Sequence, residues 1–451
     1  MATSTRLALQ YGDQKVPRYT SYPTAPHFHA VSAPTYRNWL KGLTADARLS
    51  LYVHVPFCKE LCWYCGCATT VTQKTTRLRA YVDLLLREID LLADAVPAGP
   101  EVCHLHFGGG TPSAVGPAGV EEILAKLRAS FPFEDGAELA MELDPRTVDD
   151  ELIAALARGG ITRASLGVQS LDERVQKAIN RVQPFAVTAQ VATSLRAQGI
   201  RGLNLDLLYG LPYQSEASCR DDAKRVLALE PDRLSVFGYA HVPQMRRHQL
   251  LLPENELPDG LERAAQFEAI ADALDEAGYV RIGLDHFARP DDSMAVAVAD
   301  GSLHRNFQGY TTDPADALLG LGTTAIGSLP DGYAQNHAHM TDYRKAVMAG
   351  ELPVSRGRPI DSDDRARRRI IERLMCNGTV DLAVVADEIG VDVGTLAPDA
   401  ARLQPLVADG VVETDGRHYR VDPEHWSLLR LAAAAFDRYL DRGADRHSRA
   451  V

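Results

Sequence analysis

The chain has 451 residues, of which 45% are hydrophobic and 24% are charged, and its formal net charge is −12. This composition is that of an ordinary globular protein, so intrinsic disorder is not expected, and the length allows a large core and at least one further domain. The negative charge argues against a protein that wraps nucleic acid or anionic membrane, because phosphate binding draws on clustered Lys and Arg.

Targeting and membrane segments are not expected either. The first ten residues contain no apolar stretch of signal-peptide length, and no later segment approaches the ~18 apolar residues that span a bilayer. We therefore expect a cytoplasmic protein with reduced cysteines, no membrane span and no nucleic-acid partner.

The N-terminal 45 residues show little periodicity and are predicted to form an extension that packs on the active site. Within them, residues 18–25 (RYTSYPTA) predict an ordered loop, because the aromatic side chains need a surface to pack on.

Residues 46–328 alternate short β-rich runs with longer amphipathic runs. Strands are predicted at residues 51–55, 102–107, 139–143, 163–168, 203–208 and 233–239, with helices at 76–93, 119–130, 149–157, 185–198 and 217–229. A seventh strand at 280–285 is predicted to extend the sheet edge. Serial βα units indicate a parallel sheet, and both a partial or full α/β barrel and an open doubly wound sheet fit this pattern.

The pattern changes in residues 329–451, which are predicted to form a separate, mostly helical domain. Helical runs at 363–375, 382–389 and 398–408 precede two β runs within 410–421, around an Asp415-Gly416 turn. Three helices and a hairpin are typical of a winged-helix module. We interpret it as a packing domain rather than a DNA-binding one, because the chain is acidic.

Four of the seven cysteines fall between Cys58 and Cys67, directly after the first predicted strand. In parallel α/β proteins, sites form at the carboxyl ends of strands. Cys58, Cys62 and Cys65 are separated by three and two residues, so one loop can present three thiolates to the corners of an iron–sulfur cubane. A zinc site or a buried thiol cluster is the alternative, but structural zinc usually takes four ligands from two separate pairs. The remaining cysteines are predicted to be buried as small apolar residues (Cys103, Cys219 and Cys376).

Other motifs follow the later strands. Residues 108–112 (GGGTP) follow the second strand, and consecutive glycines let backbone approach a ligand closely. Glu142, Gln169 and Asp206 lie in or at the ends of the third, fourth and fifth strands. Polar groups there would be costly in a core, so they are predicted to contact a ligand.

These motifs together resemble the oxygen-independent coproporphyrinogen III oxidase (dehydrogenase) family of the radical S-adenosylmethionine (SAM) superfamily. The resemblance runs from about residue 11 to the C-terminus. Its segments are residues 19–24, 58–67, 108–112, 168–169, 180–181, 206–212, 285–290, 304–312 (HRNFQGYTT) and 333–336.

The resemblance implies a partial (β/α)6 TIM-like barrel, with residues 46–328 as the radical SAM catalytic domain. It implies that Cys58, Cys62 and Cys65 bind a [4Fe–4S] cluster and that Cys67 does not. Two SAM molecules are implied. The contacts to the cluster-bound SAM would be Tyr52, Gly109, Glu142 and Ile326, and those to the second SAM would be Tyr64, Gly110, Thr111, Gln169, Arg181, Asp206 and Ala240.

The implied reaction converts two propionates of coproporphyrinogen III to vinyl groups, giving protoporphyrinogen IX in haem and tetrapyrrole biosynthesis. A 5′-deoxyadenosyl radical, formed by reductive SAM cleavage at the cluster, would remove a hydrogen atom, so no side chain is needed as a general acid or base. Candidate substrate contacts are Arg18, Arg289, Arg305 and Gln308. A reducing electron donor such as flavodoxin or ferredoxin and a monomeric state are expected.

The alternative function is a haem-binding chaperone of the same superfamily. That group resembles a shorter chain with an aromatic residue in place of Cys67. The presence of Cys67, of residues 18–25 and of residues 304–312 argues against it.

Overall fold

The computed structural model describes residues 7, 10, 11 and 14–440. They fall into two compact units, each built from discontinuous segments. The barrel unit comprises His29–Leu257 and Asp313–Pro359, and the helical unit comprises the described parts of Met1–Phe28, Pro258–Thr312 and Ile360–Val451. The predicted domain boundaries after residues 45 and 328 stay predictions.

Six parallel strands form the centre of the barrel unit, and all six predicted strands are confirmed. They are β1 (Arg48–Val55), β2 (Glu101–Gly109), β3 (Phe133–Leu143), β4 (Arg163–Gln169), β5 (Gly202–Tyr209) and β6 (Arg233–Gly238). Each strand pairs with the next in chain order. A doubly wound sheet reverses its strand order, so this serial order is that of a partial (β/α)6 barrel.

Five helices connect these strands close to where they are predicted, and a further short helix, Glu173–Ala178, was not predicted. The connecting helices are Thr75–Ala93, Gly116–Ser130, Asp150–Arg158, Glu173–Ala178, Phe185–Ala197 and Glu216–Leu227. Strand β4 shows why the helices pack against the sheet. Its residues Ala164, Leu166 and Val168 are at most 1% exposed, and Arg163, Ser165 and Gln169, which alternate with them, are half-buried. One face of the strand is therefore apolar, and the other carries polar groups.

The sheet of the barrel unit continues beyond β1 through strands that the sequence patterns did not predict. Strand β7 (Ala317–Leu321) is parallel to β1, with Gly320 opposite Tyr52. Antiparallel strands follow outward, at Ile326–Leu329, Gly332–Asn336, Val354–Pro359 and His29–Ala30. The antiparallel strands belong to the same sheet as the six parallel strands, because β7 pairs directly with β1.

The helical unit contains the predicted C-terminal helices and hairpin. Helices Ser362–Asn377 and Leu382–Ile389 are present, and strands Val412–Thr414 and His418–Val421 pair around the predicted turn. A third strand, Thr379–Asp381, completes this small sheet. The segment predicted as a helix at 398–408 is helical, but it is divided into α-helices Ala397–Ala400 and Gln404–Ala408, which a 3-10 turn at Ala401–Leu403 joins. Pro405 lies in the first turn of the second helix, where its missing N–H is tolerated.

Further elements of the helical unit precede these. They are helices Gly260–Glu276 and Ser293–Asp300, and strands Val280–Ile282, His286–Ala288, His304–Asn306 and Gly309–Thr311. The predicted seventh strand at 280–285 is shorter than expected, since Val280–Ile282 turns at Gly283 and pairs antiparallel with His286–Ala288.

The N-terminal aromatic segment is ordered by packing, as its composition predicts. Tyr19 and Tyr22 are 4% and 1% exposed and belong to the same apolar core as Ile370 and Phe436. The Tyr19 hydroxyl donates to Asp437 over 3.0 Å. In the described part of the chain, no helix is both long enough and apolar enough to cross a membrane.

Candidate active site

The cysteine loop, residues 56–72, leaves the carboxyl end of β1 and is closed at its base by a short parallel pairing. Phe57 and Cys58 lie opposite Thr70 and Val71. The Thr70 N–H donates to the Pro56 carbonyl over 2.7 Å, and the Thr72 N–H donates to the Cys58 carbonyl over 3.0 Å. The three cysteines therefore lie on a loop whose ends are fixed.

Side chains from two other segments hold the middle of this loop. His248 Nε2 lies 2.7 Å from the Cys65 carbonyl oxygen, and Gln249 donates to the Tyr64 carbonyl over 2.9 Å. Asn180 donates to the Leu61 carbonyl over 2.9 Å. These contacts satisfy backbone acceptors that the loop itself cannot pair, so they fix its shape.

The sulfurs of Cys58 and Cys62 accept hydrogen bonds from separate groups. Thr69 and Thr111 hydroxyls lie 3.2 and 3.5 Å from Cys58 Sγ. Guanidinium groups of Arg146 and Arg181 each lie 3.6 Å from Cys62 Sγ. Burial raises the pKa of the Cys58 thiol, although the two hydroxyls act in the opposite direction. Donors directed at sulfur favour thiolates, the form that binds metal.

Cys65 and Cys67 differ in exposure and in the groups that face them. The side chain and backbone N–H of Cys67 donate to Cys65, and with the charges of His248 and Arg246 they lower the pKa of Cys65 to about 6. Cys67 is exposed, whereas Cys62 is buried. Among the described residues, no group of three or more His, Cys, Asp or Glu side chains is arranged to hold a single metal ion. A cubane binds each cysteine through a different iron and does not require such a group.

Three consecutive glycines, residues 108–110, pack closely against the cysteine loop. A Cβ atom on Gly108 would lie 2.8 Å from Glu142 Oε1, and one on Gly110 would lie 2.6 Å from Thr69 Oγ1 and 2.7 Å from the Phe57 oxygen. The Gly110 and Thr111 N–H groups donate to Val55 and Phe57 carbonyls. Close backbone approach thus requires glycine at these positions.

Gly110→Ala is expected to lower kcat/KM for SAM cleavage by roughly 100-fold, because the new methyl group meets the Phe57 backbone and displaces residues 108–110 from the cysteine loop. Anaerobic kinetics of 5′-deoxyadenosine release measure this effect. Gly260→Ala is the control, since a Cβ there meets nothing within 4 Å. Equal kinetics for the Gly110 and Gly260 variants would contradict the expectation.

Glu142, at the end of β3, is held by two groups. Its Oε1 lies 3.1 Å from His106 Nε2, and its Oε2 accepts from the Gly109 N–H over 3.3 Å. The Tyr52 ring stacks on His106 with centroids 6.0 Å apart, and the Tyr52 hydroxyl lies 2.9 Å from His54 Nδ1. Burial lowers the pKa of His54 to about 4, so its ring is neutral at pH 7.

Asp144 joins the two arginines that contact Cys62. It lies 2.7 Å from Arg146 and 3.3 Å from Arg181. Burial alone would raise the pKa of Asp144, but the hydrogen bond and charges of these arginines lower it. Arg181 also donates to the Gly167 carbonyl over 2.7 Å, while its buried Nε has no partner among the described residues.

The remaining predicted SAM contacts lie around the same carboxyl ends. Gln169 ends β4 with a φ of +72°, and the Ala240 carbonyl accepts from Gln249. Asp206 lies within β5, where Ser165 and Asn204 donate to it. Ile326 begins the strand next to β7. All eleven predicted SAM contacts therefore belong to the barrel unit.

Asp144, Arg146 and His106 were not predicted as functional from the sequence. Asp144 and Arg146 directly follow β3, and this position after a strand was the available signal. His106 alternates with buried Leu105 and Phe107 on β2, so its inward direction could also be read from the strand period.

The predicted substrate contacts Arg18, Arg289, Arg305 and Gln308 lie in the helical unit. The Arg305 guanidinium stacks over Tyr310 at 4.3 Å and donates to the Arg18 carbonyl over 3.3 Å. Its Nε and Nη1 are buried and have no hydrogen-bond partner among the described residues.

Comparison with known proteins defines the class of this site. A family model described as the radical SAM superfamily matches residues 52–226, and one described as the HemN C-terminal domain matches residues 360–428. The barrel unit is thus a radical SAM fold, and the cofactors of that class are a [4Fe–4S] cluster and SAM.

Similarity to individual proteins covers almost the whole chain. It is 50% identical to an oxygen-independent coproporphyrinogen III oxidase of Bradyrhizobium diazoefficiens, over 99% of each chain, and 42% identical to one of Paracoccus denitrificans, over 97% of each. The structure of the coproporphyrinogen III oxidase of Escherichia coli, described as a radical SAM enzyme, superposes with a TM-score of 0.90 at 37% identity, covering 94% of this chain and 98% of that one. The chain belongs to the oxygen-independent coproporphyrinogen III oxidase family, whose substrate is coproporphyrinogen III.

Proposed function

We propose that this protein converts two propionate side chains of coproporphyrinogen III to vinyl groups without oxygen, giving protoporphyrinogen IX in haem and tetrapyrrole biosynthesis. The observation that carries this proposal is the set of donors around Cys58, Cys62 and Cys65 at the carboxyl end of the barrel. Family membership supplies the substrate.

The proposed ligands of the [4Fe–4S] cluster are Cys58, Cys62 and Cys65. Two donors face Cys58, two face Cys62 and the Cys67 N–H faces Cys65, so the donor set suits three negatively charged sulfurs. Cys67 is proposed to act as a donor rather than as a ligand.

The proposed contacts to SAM divide into two groups. Tyr52, Gly109, Glu142 and Ile326 would bind the SAM at the cluster. Tyr64, Gly110, Thr111, Gln169, Arg181, Asp206 and Ala240 would bind a second SAM. The unpartnered Nε of Arg181 supports the second group, because a buried cationic donor without a partner is costly unless a ligand satisfies it.

When bound, the cluster and SAM would supply the chemistry that removes a hydrogen atom from an unactivated carbon. Loss of CO2 from the substrate propionate, with one electron passing to a separate electron acceptor, would then leave a carbon–carbon double bond and would require no protein acid or base. The protein's own residues hold the cofactor in place, orient the propionate and exclude water.

Arg305 is the proposed contact to a substrate carboxylate that the structure supports best, because two of its donors are buried and unpartnered. Burial alone would raise the pKa of Asp285, but the hydrogen bond from His286 and the charges of Arg305 and Arg18 lower it. The positive charge of these arginines can therefore balance a substrate carboxylate in addition to the Asp285 carboxylate. Arg18, Arg289 and Gln308 are proposed to assist.

Arg305→Lys is expected to raise KM for coproporphyrinogen III by about 10- to 100-fold, because lysine cannot present the guanidinium's planar donors over Tyr310. Steady-state kinetics with SAM saturating measure this effect. The KM for SAM serves as the internal control and should stay unchanged, since Arg305 is proposed to contact the porphyrinogen and not SAM. An unchanged substrate KM would remove Arg305 from the substrate site.

The function itself is tested by anaerobic incubation of reconstituted protein with SAM, a strong reductant and coproporphyrinogen III. Vinyl product and 5′-deoxyadenosine are expected together. SAM cleavage without vinyl product, with and without an added electron acceptor or cell extract, would overturn the proposal and favour the haem-binding chaperone. The monomeric state and cytoplasmic location stay predictions that gel filtration and fractionation can test.

A further inference from the structure

Gln249 lies in a short helical turn after β6, Arg247–Leu251, in which the polar side chain is buried and the apolar ones are not. The Gln249 side chain is 0% exposed, whereas the adjacent Leu250 and Leu251 are 66% and 57% exposed. Burying an amide while leucines face solvent costs free energy unless the polar atoms of the amide are paired. The turn is therefore oriented by the hydrogen bonds of Gln249 and not by apolar packing of its leucines.

Both amide hydrogens and the amide oxygen of Gln249 have partners. Its Nε2 donates to the Tyr64 carbonyl over 2.9 Å and to the Ala240 carbonyl over 3.2 Å, and its Oε1 accepts from the Val242 N–H over 2.6 Å. Turning the amide over would place its oxygen against two carbonyls, so these partners define one orientation. Lysine and arginine offer no acceptor and glutamate offers no donor, so glutamine fits this set of partners.

The two carbonyls that Gln249 binds belong to separate segments. Tyr64 lies in the cysteine loop, and Ala240 follows the end of β6. Their carbonyl oxygens both lie within 3.2 Å of the same nitrogen, which fixes the separation of the two backbones. Both residues are proposed contacts to the second SAM. In the described part of the chain, the Gln249 side chain makes no hydrogen bond to the proposed contacts of the cluster-bound SAM.

We propose that Gln249 is a positioning residue of the second SAM site, because it sets the distance between the backbones at Tyr64 and Ala240. This inference rests on the proposed function, since it requires a second SAM. Without the amide, two carbonyls and one N–H are left unpaired in a buried place, and the two segments separate to admit water. The second SAM is then bound more weakly, while the cluster and the first SAM, which other residues hold, are retained.

Apolar contacts keep the cysteine loop attached when the amide is changed. Trp63 and Tyr64 pack against a buried apolar cluster that includes Tyr239 and Leu252, which lie on either side of Gln249 in the chain. A substitution of Gln249 therefore shifts the two backbones without releasing the loop. The variants are expected to fold and to assemble a cluster.

The test uses Gln249→Glu, which keeps the shape of the side chain and removes both donors, and Gln249→Leu, which removes all three hydrogen bonds. The control is Gln244→Glu, the same substitution at an exposed glutamine of the same segment. Equilibrium dialysis of the reconstituted, oxidised holoenzymes against radiolabelled SAM under nitrogen counts the SAM molecules bound per cluster. The change in the EPR spectrum of the reduced cluster on adding SAM reports on the first site alone.

We expect wild type and Gln244→Glu to bind two SAM molecules, and both Gln249 variants to bind the second one roughly 10- to 100-fold more weakly. Iron content and the EPR response should match wild type. Two equally tight SAM molecules in both Gln249 variants would overturn the inference, as would equal weakening of both sites or loss of the cluster in Gln249→Glu. A wild-type protein that forms vinyl product but binds a single SAM would refute the second site of the proposed function, and this inference with it.

Discussion

Cys62→Ser is expected to abolish cluster assembly and to lower vinyl product formation by more than roughly a thousand-fold, because no side chain can replace the cofactor's chemistry. Cys62 is the most buried of the three proposed ligands, and two guanidinium groups face its sulfur. Serine places a harder and less readily ionised oxygen at that point. Iron and sulfide content after anaerobic reconstitution, with the visible absorbance of the cluster, measures the loss.

Cys67→Ser provides the matched control, since it lies in the same loop but is exposed and is not a proposed ligand. It should retain a full complement of four irons, although activity can fall through its hydrogen bonds to Cys65. If Cys67→Ser loses the cluster and Cys62→Ser keeps it, the ligand assignment is wrong. A full cluster in Cys65→Ser would lead to the same conclusion.

Glu88→Ala is expected to lower the free energy of unfolding of the barrel unit by ~3–5 kcal/mol, since it leaves buried donors without an acceptor. Glu88 is 2% exposed. Its Oε2 accepts from Tyr343 over 2.6 Å and from the Gly322 N–H over 2.7 Å, and its Oε1 accepts from Asn336 over 2.6 Å. Thermal and urea unfolding followed by circular dichroism measure the change.

Asp83→Ala is the control for this loss, because Asp83 lies on the same helix with its side chain 56% exposed. It should leave the unfolding midpoint close to wild type. Similar midpoints for the Glu88 and Asp83 variants would show that the buried carboxylate does not link this helix to the segment after β7.

The stability contribution of Glu88 should also depend on pH. Burial raises its pKa from 4.5 to about 7, against three hydrogen bonds that lower it. Because the folded state binds the proton more tightly, the stability of wild type relative to Glu88→Gln should fall as pH rises from about 4.5 to about 7 and level off above. A rise over the same range would contradict the raised pKa.

The strand period and the cysteine spacing predicted the parallel part of the barrel and the position of the proposed cluster loop. The alternation of Ala164, Leu166 and Val168 is regular because one face of β4 is apolar. The position of Cys58 directly after β1 then follows from local chain order. Both predictions rest on short-range patterns that tertiary contacts do not alter.

The strands after residue 313 were missed for a physical reason. Ala317–Leu321 is a run of five buried residues, but a short apolar run does not distinguish a strand from a buried helix. Gly332–Asn336 contains Gln and Asn, and Asn336 is buried because Glu88, far away in the chain, accepts its hydrogen bond. Pairings of that kind depend on long-range contacts that a local pattern does not contain.

The charged network around Cys62 shows the same limit within the site. Arg181 was predicted only through the family resemblance, and Asp144 was not assigned a role. Their 3.3 Å contact joins segments that are 37 residues apart. The sequence indicates that each follows a strand or helix, but the contact between Arg181 and Asp144 depends on how the barrel curves.

Deuterium transfer tests the central claim most directly. Coproporphyrinogen III deuterated at the β-carbons of its propionates would be incubated anaerobically with reconstituted protein, SAM and reductant, and 5′-deoxyadenosine would be analysed by mass spectrometry. We predict one deuterium in the 5′-deoxyadenosine for each vinyl group formed, and none with Cys62→Ser. Vinyl product accompanied by unlabelled 5′-deoxyadenosine would contradict the account.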